Sequence, residues 1–250
     1  MQKVVITGHD LTVDQIIAVC REGAEVVLSD ESREKILASR QVVNELVEER
    51  KVVYGITTGF GKFSDVVISQ DECKLLQKNL IITHAVGAGD PFKEDIARGI
   101  LLLRVNSLSN GFSGICLETV ETMIAMLNKG VTPFIPEKGS LGASGDLAPL
   151  SHMVLPMIGL GMAWYKGELL PGAEAMERAG IPVIDLSAKE GLALNNGTQA
   201  MTSVGAHALH DAISLLKTAD IAAALSFEAQ NGVVDALDAR VHQVGPHAGQ

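Results

Sequence analysis

The residues best suited to chemistry in this sequence lie in one run, Gly139-Ser140-Leu141-Gly142-Ala143-Ser144-Gly145-Asp146-Leu147-Ala148-Pro149-Leu150-Ser151-His152. Ala143-Ser144-Gly145 has the residue types and spacing for a backbone cyclisation. In a tight bend the amide nitrogen of Gly145 can attack the carbonyl carbon of Ala143, and loss of two waters leaves the Ser144 side chain as an exocyclic methylidene. The product is 4-methylidene-imidazol-5-one (MIO), an electrophile made from the chain itself with no external cofactor. The attacking nitrogen needs a residue without Cβ, which Gly145 provides, and Gly142 and Ala143 keep the bend small.

Two other chemistries of serine and glycine fit less well. A hydrolase nucleophile elbow needs Gly-x-Ser-x-Gly, whereas here the second glycine falls one place early, at Gly145. A phosphate loop needs Lys-Ser or Lys-Thr after its spacer, and Gly139-x-x-Gly142-x-x-Gly145 has neither that lysine nor dinucleotide spacing. His207-x-x-His210 could face one way on a helix, but no third ligand accompanies the pair, so no metal site is expected.

Helices are expected to position this run. Thr12-Val13-Asp14-Gln15, Ser69-Gln70-Asp71-Glu72 and Ser187-Ala188-Lys189-Glu190 each have capping-box spacing. Apolar residues at helical spacing predict further helices from Asp30 to about Glu49, from Glu94 to Leu108 and from Gly114 to Asn128. Pro133, Pro136 and Gly139 impose an extended approach to the Ala143-Ser144-Gly145 turn, and Asp146 then starts a helix whose amino end favours negative charge. Trp164 to Leu170 reads as a hairpin turning at Lys166-Gly167. The stretch from Thr198 to about Ala229 is apolar on nearly every side, which requires surrounding protein and predicts a bundle shared between subunits. A last helix is expected over Val233 to Arg240. The predicted class is all-α, a multi-helix bundle with small N-terminal and hairpin β elements, forming one mainly helical region over 1–250.

Composition narrows the function. The 250 residues carry 20 Lys+Arg against 30 Asp+Glu, a formal net charge of −10, which disfavours nucleic acid and anionic membrane as partners. With 47% apolar and 20% charged residues a buried core is expected. Cys20, Cys73 and Cys116 are few and far apart, so they read as reduced thiols of a cytoplasmic protein, and the opening residues lack a signal-peptide apolar run.

The run around Ser144 also resembles the Gly-Ser-x-Gly-Ala-Ser-Gly-Asp-Leu-x-Pro-Leu signature of the aromatic amino-acid ammonia-lyases and aminomutases. Four more segments resemble that family in the same order: Tyr54-Gly55-Ile56-Thr57-Thr58-Gly59-Phe60-Gly61, Asn79 to Ala85, Arg104-Val105-Asn106-Ser107-Leu108, and Glu190 to Gln199. Family members are about twice as long, so the chain resembles an N-terminal half, with the C-terminal half absent.

The resemblance implies roles. The methylidene made from Ser144 is the electrophile, the tyrosine matching Tyr54 abstracts the β-proton, and Asp146 matches the aspartate that assists ring formation. Asn196 matches the asparagine near the ring and the substrate carboxylate. Without the resemblance, Asp146 and Asn196 read equally well as helix caps, and Tyr54 as a loop-edge residue. Thr83 and His84 match the two positions lining the pocket for the substrate ring, and a polar pair ending in His resembles histidine-selective members, which convert L-histidine to trans-urocanate and ammonia. A phenylalanine or tyrosine lyase, an aminomutase, and a non-catalytic helical interaction protein remain the alternatives. The family combines residues of three subunits in each site, which implies a homotetramer, or a separately encoded C-terminal half as partner, with an amino acid as substrate and histidine catabolism as the setting.

Overall fold

A computed structural model describes residues 2–49, 51–53, 55–56, 58, 70–140 and 145–247. It divides into two compact units, residues 1–207 and 208–250.

The first unit opens on a strand, helix and parallel strand. β1 (Lys3–Ile6) pairs with β2 (Glu25–Leu28), Lys3 opposite Glu25 and Ile6 opposite Leu28, with α1 (Val13–Arg21) as the crossover. The predicted capping box is present: the Thr12 hydroxyl accepts from the Gln15 amide, and the Gln15 side chain accepts from the Thr12 amide at 2.9 Å. The free edge of β2 is tied down by Asn128, whose amide accepts from Val26 N at 2.8 Å and donates to Val26 O at 2.9 Å.

Helices α2 (Asp30–Glu48), α3 (Gln70–His84), α4 (Glu94–Leu108) and α5 (Leu117–Lys129) follow. The last begins later than the predicted Gly114, because Gly114 takes a φ of +66° that a continuing helix excludes. Ser69, the first residue of one expected capping box, lies outside the described residues. α4 is central: it packs on α1 and α5, and its Ile100, Leu101, Leu102, Val105 and Leu108 are fully buried.

The approach to the ring-forming run is extended, as the prolines predict. β3 (Ala88–Pro91) pairs antiparallel with β5 (Pro136–Lys138), while β4 (Val131–Pro133) pairs with β6 (Met162–Tyr165), itself joined to β7 (Glu168–Pro171) through the predicted turn at Lys166-Gly167. Helix α6 (Leu147–Val154) leaves the run, and α7 (Gly172–Arg178) and α8 (Glu190–Asn195) follow. α6 packs on α3 and α8, and α3 on α8.

The box predicted at Ser187 forms only by half. Glu190 Oε2 accepts from the Ser187 amide at 2.8 Å, but Lys189 adopts φ +75° and the helix starts at Glu190. The other carboxylate oxygen accepts from Thr119 Oγ1 at 2.6 Å and from Cys116 N at 3.2 Å, so this buried acid staples α8 to the start of α5.

Helix α9 runs Gln199–Ala229. Its buried side chains are Ala200, Ser203, Ala206 and His207, all in the first unit. The second unit holds the rest of α9, a 3-10 turn Val234–Leu237 and α10 (Ala239–Val244), in place of the single helix expected over Val233 to Arg240. None of its described residues is buried. Among the described residues no helix is long and apolar enough to cross a membrane. The architecture is mainly helical with small β elements, the predicted class.

Candidate active site

Of the proposed ring residues, Gly145 is described, while Ala143 and Ser144 lie outside the described residues, as does Tyr54. Gly145 has φ +102°, and a Cβ there would come within 2.5 Å of the Gly197 carbonyl oxygen. No other residue type fits that cradle. The residue whose nitrogen would attack in ring closure is therefore one that the backbone requires to be glycine, and at Gly145 the chain fits the group.

Asp146 is fully buried and begins α6, yet its side chain does not cap that helix. Oδ2 accepts from the Met201 amide at 2.9 Å, so the carboxylate serves the first turn of α9, where a negative charge is favoured. Oδ1 accepts from Ser140 Oγ at 2.5 Å, and the Asp146 amide donates to Gly197 O at 2.6 Å. One acid thus joins the residues before the ring-forming turn to the Asn196-Gly197 turn and to α9.

Asn196 is extended (φ −101°, ψ 103°) at the carboxyl end of α8, and its side chain is exposed. It closes one helix and does not cap the next, which starts at Gln199. Its neighbour Asn195 is buried, with Nδ2 3.5 Å from Ser151 Oγ and Oδ1 without a hydrogen-bond partner among the described residues.

Thr83 and His84 end α3. Thr83 is exposed and its hydroxyl donates back to Asn79 O at 2.8 Å. His84 Nδ1 stands 2.8 Å from Leu80 O. A carbonyl only accepts, so Nδ1 carries a proton, and in the neutral ring Nε2 is the acceptor. This end of α3 is linked to α6 through His152, whose Nε2 accepts from Gly87 N at 3.0 Å, and to α8 through Gln77 Oε1, which accepts from Gly191 N at 2.9 Å. These bonds tie α3 and the residues just after it to α6, which follows Asp146, and to α8, which precedes Asn196.

Sequence reasoning assigned no role to Arg104, His152 or Ser140. Arg104 had a visible signal: it is a charge among Ile100, Leu101, Leu102, Val105 and Leu108, a core stripe where arginine is buried only with partners. Burial pushes its guanidinium down to about 10. The same cause, and next the charge of Arg104, lowers Lys189. Among the described residues there is no group of three or more His, Cys, Asp or Glu side chains able to hold a metal ion.

Comparison with known proteins agrees with this arrangement. The family model for aromatic amino acid lyases matches residues 11–250. A histidine ammonia-lyase of Alkaliphilus oremlandii is 62% identical over all 250 residues, which cover 49% of its length. The crystal structure of histidine ammonia-lyase from Trypanosoma cruzi superposes with a TM-score of 0.92 at 40% identity, over 99% of this chain and 49% of that one. A phenylalanine aminomutase of Pantoea agglomerans gives 0.90 at 35% identity, over 100% of this chain and 48% of its own. The chain spans about half the length of these relatives. With the signature, the glycine cradle and the fold in agreement, it belongs to the aromatic amino acid lyase family.

Proposed function

We propose that this chain is the N-terminal half of a histidine ammonia-lyase and contributes to the non-oxidative conversion of L-histidine to trans-urocanate and ammonia. The observation that supports this reading is the packing of Gly145–Asp146 against Gly197, next to Asn196 in sequence, so that the glycine of the signature and its buried carboxylate meet the second signature segment. When formed from Ala143, Ser144 and Gly145, the MIO ring supplies the electrophile that makes the amino group a competent leaving group.

The chain's own residues supply several of the other parts. Asn196 donates to the substrate carboxylate from its exposed position beside Gly197. His84 presents the unprotonated Nε2 to the substrate imidazole and accepts its N–H, with Thr83 beside it. Tyr54 takes the β-proton onto its phenolate oxygen, the C–H electron pair becomes the new double bond, and ammonia departs. A phenol ordinarily titrates near ~10, so Tyr54 needs positive charge or helix ends nearby to be ionised at neutral pH.

The completed site needs the other half of the enzyme, either in a homotetramer or as a separate polypeptide. The exposed Leu215, Leu216, Ile221 and Leu225 of α9 support assembly with further protein. A cytoplasmic setting in histidine breakdown fits the free thiols and the substrate.

A phenylalanine or tyrosine lyase or aminomutase would share the electrophile, and the polar Thr83-His84 pair argues against an aromatic hydrocarbon ring. Two measurements on the chain assembled with its completing half test the reading. Intact mass should be about 36 Da below that of the sequence, the loss of two waters. Incubation with L-histidine should raise urocanate absorbance, with L-phenylalanine and L-tyrosine giving little product. An unreduced mass together with no urocanate would leave an inert helical protein.

A further inference from the structure

Arg104 sits on α4, 4% exposed, among side chains that exclude water. Its Nη2 donates to the Ala193 carbonyl and its Nη1 to Gln199 Oε1 at 3.1 Å, while Nε has no hydrogen-bond partner among the described residues. Among the described residues no carboxylate pairs with it. Burying a cation without a counter-charge is costly, and an apolar side chain of similar size would fill the space without that cost. The fork therefore needs a reason that stability alone does not supply.

Its two acceptors stand on either side of the Asn196-Gly197-Thr198 turn, Ala193 before it and Gln199 after it. The guanidinium also lies against Gly197: a Cβ at that residue would come within 2.4 Å of Nη1 and 2.2 Å of Gln199 Oε1. Gly197 in turn accepts from the Asp146 amide at 2.6 Å and meets the cradle of Gly145. The contacts thus run without a gap from the buried cation, through Gly197, to Gly145, the residue whose nitrogen would close the ring.

We infer that Arg104 is a positioning residue for this site: its rigid fork spans Ala193 and Gln199, backs Gly197, and so fixes both Asn196 and the Gly145–Asp146 peptide in the geometry that ring closure and turnover need. The inference rests on the reading of Gly145 as the ring nitrogen. Methionine matches the reach of the side chain without the fork, and lysine keeps the charge but cannot bridge two acceptors as a plane.

The test uses the full-length protein, unsubstituted and carrying Arg104→Met or Gly197→Ala, with intact mass as the first readout and L-histidine kinetics as the second. A displacement of about 1 Å costs on the order of 10²-fold in rate, so Arg104→Met is expected to lower kcat by about that factor while KM moves much less. A large share of its chains should also lack the ring-closure mass loss. Folded Arg104→Met that is fully cyclised and turns over at the unsubstituted rate would overturn the inference. Should Arg104→Met fail to fold, Gly197→Ala decides, since it leaves the guanidinium in place and crowds the same contact: the paired loss of ring and kcat upholds the inference, and unaltered behaviour overturns it. If the unsubstituted protein keeps its full mass, the lyase reading itself falls and this inference with it, an outcome the variants cannot mimic.

Discussion

The imidazole of His152 on α6 accepts the backbone N–H of Gly87 at 3.0 Å, so one hydrogen bond joins the helix that follows Gly145-Asp146 to the segment that follows His84. To accept at Nε2 the ring must be neutral with its proton on Nδ1. Burial favours that form and lowers the His152 pKa from the ordinary 6.5.

The sign of the pH effect follows. Below about 6.5 the unfolded chain takes up a proton at His152 that the folded chain resists, so the unfolded state binds more protons and stability rises with pH in that window. The contribution is fully present above the unfolded value and is lost as pH falls through the folded one. Denaturant titrations between about pH 5 and pH 8 should show this slope, and His152→Phe should remove it. The same variant leaves Gly87 N–H unsatisfied, at a cost of about 1–3 kcal/mol near neutral pH. A slope unchanged in His152→Phe would assign the proton uptake to another group.

Asp146 gives a second expectation. Its two oxygens accept from Ser140 and from Met201, and alanine offers no acceptor. Asp146→Ala should therefore lose both bonds and destabilise the folded protein by about 1–3 kcal/mol, measured by chemical denaturation. Under the lyase reading it should also slow ring closure, seen as a mixture of masses. Full stability in this variant would mean that the two bonds carry no net energy.

The thiols offer a test independent of function. Burial pushes Cys20 up to about 12, and burial followed by the charge of Glu190 pushes Cys116 up to about 12. Near pH 8 only on the order of one thiol in 10⁴ at such sites is thiolate, the form that reacts. Iodoacetamide should leave both unmodified in the folded protein and label both after denaturation, as read by peptide mass. Rapid labelling of either in the folded state would show that its burial is transient.

Legibility in the sequence followed the range of the interactions. The Thr12-Gln15 box was readable because both of its bonds close within one turn. The Ser187-Glu190 pattern was readable only by half, since Glu190 is shared with Thr119 and Cys116, more than two-thirds of a hundred residues away in sequence. Asp146 was legible as a helix-starting residue, but no spacing rule announces that its carboxylate serves α9 instead of α6. Arg104 stood out as a charge in an apolar stripe, while its partners Ala193 and Gln199 are distant in sequence and could be found only in the fold. For α9 the pattern correctly called for a long helix, yet most of its apolar residues are exposed in this chain, because what a helix packs against is not encoded in its own periodicity. Tyr54 and Ser144, the two residues given the central chemistry, lie outside the described residues, so their roles rest on the signature and on the cradle around Gly145.

Substrate choice supplies the last expectation. The Leu80 carbonyl accepts from His84 Nδ1 at 2.8 Å, which selects the neutral tautomer with Nε2 as the acceptor. A site that accepts an imidazole N–H discriminates strongly against a ring that has none, because a polar group of the pocket is then left unpaired. In full-length protein, His84→Leu should therefore lower kcat/KM for L-histidine by about 10²-fold or more, while kcat/KM for L-phenylalanine holds or rises. Ring closure should be unaffected, since the hydrogen bonds of His84 are to Leu80 and Thr83, within α3, and an unchanged intact mass checks this. Under the lyase reading, equal losses for both amino acids would instead make His84 a residue that supports the pocket without reading the substrate ring, and specificity would then have to come from other residues.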